Sequence, residues 1–291
     1  MTGVLRTRPD GEEAGMVAAA ARRLHVSAHR LVGWLRLRSF MHRTIHQGPA
    51  WVRVGAIRAL LRMGYRGPVT LVPPDELQRC FRSAMSLLPG GSLTYLEFGV
   101  YVGTSMIAMA GAARAAGRRV DLIGFDSFEG LPPSAAEESE GFFHAGQLHS
   151  AMDVTRANLR RHEIDPRAVR LIAGWFEESL TPERRLSLGS GRADIVMIDC
   201  DLESSARLAL DFCTPLFDRT VIFFDDWDIQ GWGRRGLGEA RAFERWRSGH
   251  PEFGVEDRPE LRYRDGERAR AFLITRKGNG RPGTPSPSVA L

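Results

Sequence analysis

The sequence predicts an α/β protein with a doubly wound, mainly parallel sheet of seven strands. From residue 93 onward, short apolar runs rich in β-branched residues alternate with segments of helical periodicity. This alternation is typical of right-handed βαβ units with helices on both faces of the sheet. The first apolar run also ends in a glycine-rich turn that opens directly into a helical segment. The 291 residues are enough for one large domain of this kind and an accessory segment.

The composition, 43% hydrophobic and 26% charged, is that of a globular protein. The three cysteines, Cys80, Cys200 and Cys213, are too few and too scattered for a disulfide framework or a CxxC metal site. They favour a reducing compartment, so we expect a cytoplasmic protein. No apolar run approaches the ~20 residues of a membrane-spanning helix, and we expect no membrane span.

The N-terminal part, residues 1–74, is predicted to be a basic helical extension. Apolar residues recur at three- and four-residue spacing over residues 15–37 and 51–63, as in amphipathic helices. Residues 1–72 contain 12 arginines and three acids, but the whole chain has 39 arginines and a single lysine. The basic character is therefore interpreted as a solvated surface, and no nucleic-acid partner is expected. The apolar faces of these helices predict a lid over the cofactor or a homodimer contact.

A single domain is predicted over residues 75–277, followed by a disordered Gly/Pro/Ser tail at 278–291. Its first helix is expected at 75–88, before the turn at 89–91. A second helix, 104–116, is expected directly after the first strand. The seven strands are predicted at 93–98, 120–125, 169–173, 194–198, 220–224, 260–264 and 269–275.

The turn after the first strand, "EFGVYVGTS", has the pattern Glu97-x-Gly99-x-x-x-Gly103. Glycines at a strand-to-helix turn let backbone N–H groups approach a ligand, and the helix N-terminus favours a carboxylate or phosphate. The spacing differs from the GxGxxG of dinucleotide enzymes and is the pattern of class I S-adenosylmethionine enzymes. The residues of this turn expected to bind the cofactor are Glu97, Gly99, Tyr101, Gly103, Thr104 and Ser105.

The next two strand ends supply further candidates for the cofactor site. Asp126 ends the second strand, 23 residues after Gly103, where a carboxylate accepts both ribose hydroxyls, and Ser127 follows it. An Asx turn is the alternative role of this aspartate. In "GWFEESL", Gly174, Trp175 and Phe176 follow the third strand and are candidates for the adenine site, although such aromatic residues are equally often core.

Four aspartates follow the fourth and fifth strands, in "IDCDLESS" and "FFDDW": Asp199, Asp201, Asp225 and Asp226. Neighbouring strands lie about 5 Å apart, so these carboxylates would crowd one rim of the sheet. No lysine or arginine lies in either motif to offset their repulsion. A hard cation such as Mg²⁺ would resolve it, and a remaining carboxylate could take a proton from a coordinated hydroxyl. Each aspartate alone could instead be a helix N-cap.

Together with "EFGVYVGTS", "FDSFEGLP" and "GWFEESL", these motifs resemble the macrocin O-methyltransferase family over about residues 75–247. The resemblance implies a Rossmann-like class I methyltransferase fold and an S-adenosylmethionine- and Mg²⁺-dependent sugar O-methyltransferase of antibiotic biosynthesis. It implies that Asp199, Asp225 and Asp226 hold the metal and that Asp201 is the base. Asp199 is also among the residues expected to bind the cofactor. The chain departs from the family at Leu202, where D-x-D-x-Tyr-Glu-Ser is usual.

The segment 132–150 is long enough to be a lid, and its His144 or His149 is an alternative general base. Trp227 and Trp232, after the aspartate pair, are expected to line the acceptor. That acceptor is predicted to be a small hydroxylated molecule, a sugar or polyol. The competing functions are a metal-independent class I methyltransferase of another small molecule, a D-x-D glycosyltransferase and a nucleic-acid-binding module.

Overall fold

The structure is a computed structural model that describes residues 74–263 and 268–278, together with the helical positions Gly55 and Ala59. These residues belong to a compact unit that runs from Pro49 to Leu291. Apart from Gly55 and Ala59, the predicted helices at 15–37 and 51–63 lie outside the described residues, as does the tail after 278. The division into an N-terminal extension, a catalytic domain and a tail therefore stays a prediction.

The described chain forms a seven-stranded sheet in the order β3-β2-β1-β4-β5-β7-β6. Strands β1 to β5 are mutually parallel, whereas β7 runs antiparallel to both β5 and β6. The predicted α/β, doubly wound and mainly parallel sheet is confirmed. The strands are β1 (Leu93–Phe98), β2 (Val120–Asp126), β3 (Val169–Ala173), β4 (Ile195–Ile198), β5 (Arg219–Phe224), β6 (Phe253–Asp257) and β7 (Arg270–Arg276).

Helices connect the parallel strands, as the alternating pattern predicts. Helix α1 precedes the sheet, and α2 begins directly after the glycine-rich turn, so both predicted helices are found within two residues of their expected bounds. The helices are α1 (Pro74–Ser86), α2 (Thr104–Ala115), α3 (Ala135–Glu138), α4 (Met152–Arg161), α5 (Phe176–Ser179), α6 (Pro182–Ser187), α7 (Glu203–Cys213), α8 (Trp232–Arg235) and α9 (Gly238–Gly249).

The sixth strand is not where the sequence predicted it. Residues 259–261 form a 3₁₀ turn, and the strand is Phe253–Asp257, which pairs with the outer edge of β7. Within the segment predicted as a strand, Leu261 and Tyr263 alternate with more exposed residues and are fully buried without pairing in the sheet. That prediction was wrong because alternating burial also occurs in an irregular segment packed on the core.

Each face of the sheet has its own apolar core. On one face, α1 and α2 contribute buried residues such as Phe81 and Met106. On the other, α7 and α9 contribute Leu210, Phe243 and Trp246. Because both faces are covered, the polar side chains that end the strands are confined to the carboxyl edge of the sheet. Within the described residues, none of the helices combines the length and the apolar character needed to cross a membrane.

Candidate active site

The candidate site lies at the carboxyl edge where the strand order reverses. Strand β1 is central and pairs with β2 on one side and β4 on the other. In open α/β sheets, ligands bind in the crevice outside the carboxyl ends of strands at such a switch point. The turns after β1, β2, β4 and β5 meet there, and they carry most of the residues predicted from sequence.

The glycine-rich turn after β1 passes very close to the turn after β4. Gly99 has a φ of +91°, and a Cβ atom at this position would lie 1.8 Å from the backbone carbonyl oxygen of Asp199. Only a glycine fits there without displacing main chain. Gly103 has a φ of +79° and precedes α2, whose buried first residues are Thr104 and Ser105. The turn thus presents the N-terminus of α2 to the crevice.

Asp126 lies at the end of β2 and faces this turn. Its Oδ2 accepts hydrogen bonds from the backbone amides of Val100 and Tyr101, both at 2.8 Å, and its Oδ1 accepts one from Phe128 at 2.6 Å. Burial raises the pKa of Asp126, and the three amides oppose that shift. The carboxylate therefore both forms the predicted Asx-type turn and fixes the glycine-rich turn. Its Oδ1 keeps acceptor capacity for a ribose hydroxyl.

Glu97 is completely buried beneath the same turn. It accepts a hydrogen bond from the Tyr95 hydroxyl at 2.8 Å and another from the Ser105 hydroxyl. Burial raises the pKa of Glu97 to about 8, against the lowering effect of these two hydroxyls. The structure places Glu97 where it supports the turn and the start of α2 from below, without exposed surface.

The loop after β3 closes the far side of the crevice. Gly174 has a φ of +131° and donates its amide to the Asp126 carbonyl, and Trp175 is partly exposed beside it. Phe176 is partly buried, packs on the apolar core and contacts Phe98 edge-on at 5.9 Å. Its side chain therefore belongs to the core, the alternative that the sequence left open. Ser127 donates its hydroxyl to the Gly130 carbonyl within the next turn.

On the other side of the crevice, the structure brings three of the four aspartates together. Asp199, Asp225 and Asp226 each offer a carboxylate oxygen, and these oxygens lie within 4.8 Å of one another. Asp225 and Asp226 are buried, whereas Asp199 is partly exposed. Three converging carboxylate oxygens with one open side are the donor set that suits Mg²⁺. The residues present therefore fit the predicted metal.

Two of these aspartates also contact groups that the local motifs do not contain. The Tyr263 hydroxyl donates to Asp225 Oδ1 at 2.8 Å. Arg268 donates to Asp226 Oδ1 through Nε, at 2.8 Å, and also through Nη2. Neither aspartate motif contains a basic residue, but Arg268 offsets part of their charge from just before β7, 42 residues along the chain from Asp226.

Asp201, the predicted base, lies next to this cluster. Its φ is +65°, unusual for a residue other than glycine, and only 4% of it is exposed. Burial, followed by the charge of Asp226, raises the pKa of Asp201 well above its usual value. Asp201 also shares a hydrogen bond with Asp226. Cys200, between the two D-x-D aspartates, is buried in the apolar core as expected.

The predicted lid, residues 132–150, folds onto the same edge. Glu138 of α3 accepts hydrogen bonds from the amide and hydroxyl of Ser204 at the start of α7. Phe143 is buried against Trp232, and Phe142 is 43% exposed beside it. This packing ties the segment to α7 and α8, next to the D-x-D turn.

The two histidines of the segment lie in different surroundings. His149 is partly buried, and its charge lowers the pKa of Asp126, so it lies on the cofactor side of the crevice. His144 is exposed, and its amide is bonded to the Gln147 side chain at 3.0 Å. Neither placement puts a histidine among the aspartates, and both remain predictions as bases.

Comparison with known families agrees with this geometry. The family model for macrocin O-methyltransferase (TylF) matches residues 74–244, more than half of the chain. The chain belongs to the macrocin O-methyltransferase family. The match begins at α1 and ends within α9, so it contains all four aspartates and the glycine-rich turn.

Individual relatives come from natural-product biosynthesis. The chain is 32% identical, over 165 residues, to the 8-demethyl-8-(2,3-dimethoxy-α-L-rhamnosyl)-tetracenomycin-C 4′-O-methyltransferase of Streptomyces olivaceus, and this match covers 53% of the chain and 60% of that enzyme. In fold it is similar to the O-methyltransferase NovP, with a TM-score of 0.56, 18% identity and coverage of 82% and 98% of the two chains. The calicheamicin methyltransferase CalS11 gives a TM-score of 0.55, 20% identity and coverage of 84% and 93%.

Sequence patterns missed one carboxylate of the site. Glu239, near the start of α9, is completely buried, and its Oε2 accepts the Asp226 amide at 3.1 Å. It lies 13 residues after Asp226, outside the motifs of this macrocin O-methyltransferase family member, and its helical neighbours are apolar. A charged residue on the apolar face of a predicted helix is the signal that could have found it.

Proposed function

We propose that this chain is an S-adenosylmethionine- and Mg²⁺-dependent O-methyltransferase that acts on a sugar hydroxyl of a natural product or glycan. The observation that carries the proposal is the convergence of Asp199, Asp225 and Asp226, with oxygens within 4.8 Å, beside the glycine-rich turn. A methyl donor held by that turn and a hydroxyl held at the aspartates would meet in one crevice. Membership of the macrocin O-methyltransferase family supports the same conclusion.

On the cofactor side, the turns after β1, β2 and β3 would bind S-adenosylmethionine. The Asp126 carboxylate, already aligned by three amides, would accept a ribose hydroxyl. The N-terminus of α2 would receive the methionine carboxylate, and Glu97 would act from beneath by holding Ser105. The proposed cofactor residues are Glu97, Gly99, Tyr101, Gly103, Thr104, Ser105, Asp126, Ser127, Gly174, Trp175 and Asp199.

On the acceptor side, Asp199, Asp225 and Asp226 would hold the cation, with Tyr263 and Arg268 fixing two of the three carboxylates. When bound, the cation supplies positive charge that lowers the pKa of an acceptor hydroxyl. Asp201 would then take the hydroxyl proton. S-adenosylmethionine held by the turns after β1, β2 and β3 would supply the methyl group to the deprotonated oxygen, and its sulfur would leave as a neutral thioether.

The acceptor class rests on the relatives. The Streptomyces olivaceus enzyme is named as a 4′-O-methyltransferase of a rhamnosyl tetracenomycin C, and the match covers 60% of the length of that enzyme. We propose a glycosylated small molecule of this type as the acceptor. The three cysteines are buried free thiols, which suits the reducing conditions of a cytoplasmic enzyme.

The test is methyl transfer by the full-length protein from S-adenosylmethionine to rhamnosylated polyketides and to their aglycones, followed by mass spectrometry. We expect a mass gain of one methylene unit on the glycoside and none on the aglycone, and loss of the product in EDTA. Calorimetric titration should show that S-adenosylmethionine still binds in EDTA. Asp225→Asn should behave like EDTA treatment, with only partial rescue by excess Mg²⁺.

Two results would contradict the proposal in different ways. Full methyl transfer by the EDTA-treated enzyme would leave a metal-independent methyltransferase. A heat of binding with nucleotide sugars but none with S-adenosylmethionine would instead indicate a D-x-D glycosyltransferase.

A further inference from the structure

Glu239 of α9 is a buried carboxylate that the mechanism above does not use. Its Oε2 accepts the amide of Asp226, the residue that follows Asp225 in the turn after β5. The amide of Cys200, between the two D-x-D aspartates, also stabilises the charged form of Glu239. One carboxylate on a separate helix therefore acts on both aspartate-bearing turns.

The contribution of Glu239 to folding stability does not explain its presence. The residue is 0% exposed, and its Oε1 has no hydrogen-bond partner among the described residues. Its charged neighbours include Asp225 and Asp226, whose repulsion adds to the cost of burial. Helix α9 is already anchored by apolar residues such as Phe243 and Trp246. An apolar side chain at position 239 would be expected to match or exceed the stability that a buried carboxylate provides.

The other contacts of the aspartates hold their side chains, whereas Glu239 contacts the main chain. Tyr263 fixes the side chain of Asp225, and Arg268 fixes that of Asp226. Glu239 instead holds the main chain of Asp226 and lies against the turn that contains Asp199 and Asp201.

We propose that Glu239 is a positioning residue that holds the turns after β4 and β5 at the separation required for cation binding by Asp199, Asp225 and Asp226. This inference rests on the proposed metal-dependent function. Groups that orient metal ligands typically change metal affinity by roughly 10- to 100-fold when they are removed.

The experiment compares E239L, E239Q and the control E244Q in the full-length protein. Glu244 lies on the same helix, but it is exposed and forms an ion pair with Arg247 on the helix surface. Mg²⁺ affinity is measured by calorimetry, in parallel with Mn²⁺ affinity by electron paramagnetic resonance, and the thermal midpoint is recorded for each variant. We expect E239L to bind both ions roughly 10- to 100-fold more weakly with an unchanged or higher thermal midpoint.

The conservative variant E239Q tests whether the hydrogen bond to the Asp226 amide, and not the negative charge of Glu239, supports metal binding. E239Q keeps an oxygen that accepts the Asp226 amide, so we expect it to recover most of the affinity lost in E239L. E244Q should match the wild type in both affinity and thermal midpoint.

Each remaining outcome overturns the inference in an identifiable way. Wild-type Mg²⁺ affinity in a folded E239L would overturn it and leave the proposed function intact. Failure of both E239L and Glu239→Ala to fold would also overturn it, because Glu239 would then be required for stability. Absence of Mg²⁺ and Mn²⁺ binding in the wild type would overturn the metal-dependent function and the inference together.

Discussion

The acidic residues on the two sides of the crevice have opposite surroundings. On the side of β1 and β2, Asp126 receives three backbone amides and Glu97 receives two hydroxyls. On the side of β4 and β5, Asp201 and Glu239 are buried near Asp226, and burial followed by the charge of Asp226 raises the pKa of each. Acidic side chains are therefore hydrogen-bonded to amides and hydroxyls on the first side, and are buried close to one another on the second.

The difference indicates what each side can bind. A turn whose acids are already hydrogen-bonded is organised in advance for a ligand that brings hydroxyl groups, such as a ribose. A group of buried carboxylates is stabilised by a cation, and Arg268 supplies positive charge at Asp226. The second side is therefore where we propose that a metal binds.

The test with the largest expected effect on the aspartate side is Asp201→Asn. We expect this variant to lower turnover by a factor of about 10² to 10⁴, because a positioned base contributes this much. Metal and cofactor should still bind. Turnover is measured as S-adenosylhomocysteine release, and binding is measured by calorimetry. Asp211→Asn, an exposed change on α7 that disturbs only its pairing with Arg207, is the control. Normal turnover of Asp201→Asn would transfer the role of base to His144 or His149.

Gly99→Ala tests the place where the two sides touch. The added Cβ would meet the Asp199 carbonyl at 1.8 Å at a φ of +91°, so we expect a loss of about 2 to 4 kcal/mol in the free energy of unfolding. Gly117→Ala is the matched control, since it has a φ of +63° and open space around its Cβ. The free energy of unfolding is measured by urea denaturation. Equal losses in the two variants would show that backbone strain, and not the contact with Asp199, causes the destabilisation.

Asp126→Ala tests the cofactor side. We expect S-adenosylmethionine affinity to fall by about 1.5 to 3 kcal/mol through loss of charge-assisted hydrogen bonds. Mg²⁺ affinity should be unchanged, because Asp126 is not among the clustered carboxylates. An unaltered cofactor affinity in the folded variant, measured by calorimetry, would remove Asp126 from the cofactor site.

Glu97→Gln gives the smallest expected effect and depends on pH. The folded-state pKa of Glu97 is about 8, above the ordinary value of 4.5, so the folded protein keeps this proton longer than the unfolded chain. Its stability contribution is complete below pH 4.5 and is lost as the pH rises through 8, with a slope of up to about 1.4 kcal/mol per pH unit.

Glutamine does not titrate, so the variant should match the wild type at acidic pH and exceed its stability under alkaline conditions. Denaturant unfolding across this range measures the difference, with exposed Glu129→Gln as the control. Parallel pH profiles of wild type and Glu97→Gln would show that Glu97 ionises normally.

The sequence predicted most of this fold because the five parallel strands are apolar runs that end at glycine or aspartate. Strands β1 and β3 have the predicted bounds, and β2, β4 and β5 differ by one residue. The sixth strand was mispredicted because FGVED is short, partly exposed and at the sheet edge, so its pattern of burial is weak. The seventh, paired on both sides, was found within one residue.

At the site, the residues found from sequence lie directly after strands, where topology alone brings them together. Asp199, Asp225 and Asp226 converge for this reason. Tyr263, Arg268 and Glu239 were not found, because they reach the aspartates from the segment before β7 and from α9. No local pattern specifies how a distant segment folds back onto a strand end.

The close approach of Gly99 to Asp199 has a consequence for redesign of acceptor specificity. A replacement D-x-D turn taken from a relative would have to present its carbonyl to this glycine turn with the same fit. An exchange of the acceptor side alone would therefore distort the adjoining turn and lower S-adenosylmethionine affinity, even with every cofactor-contacting side chain retained. Grafts should carry the segment around Gly99 and the segment around Asp199 together, as a matched pair.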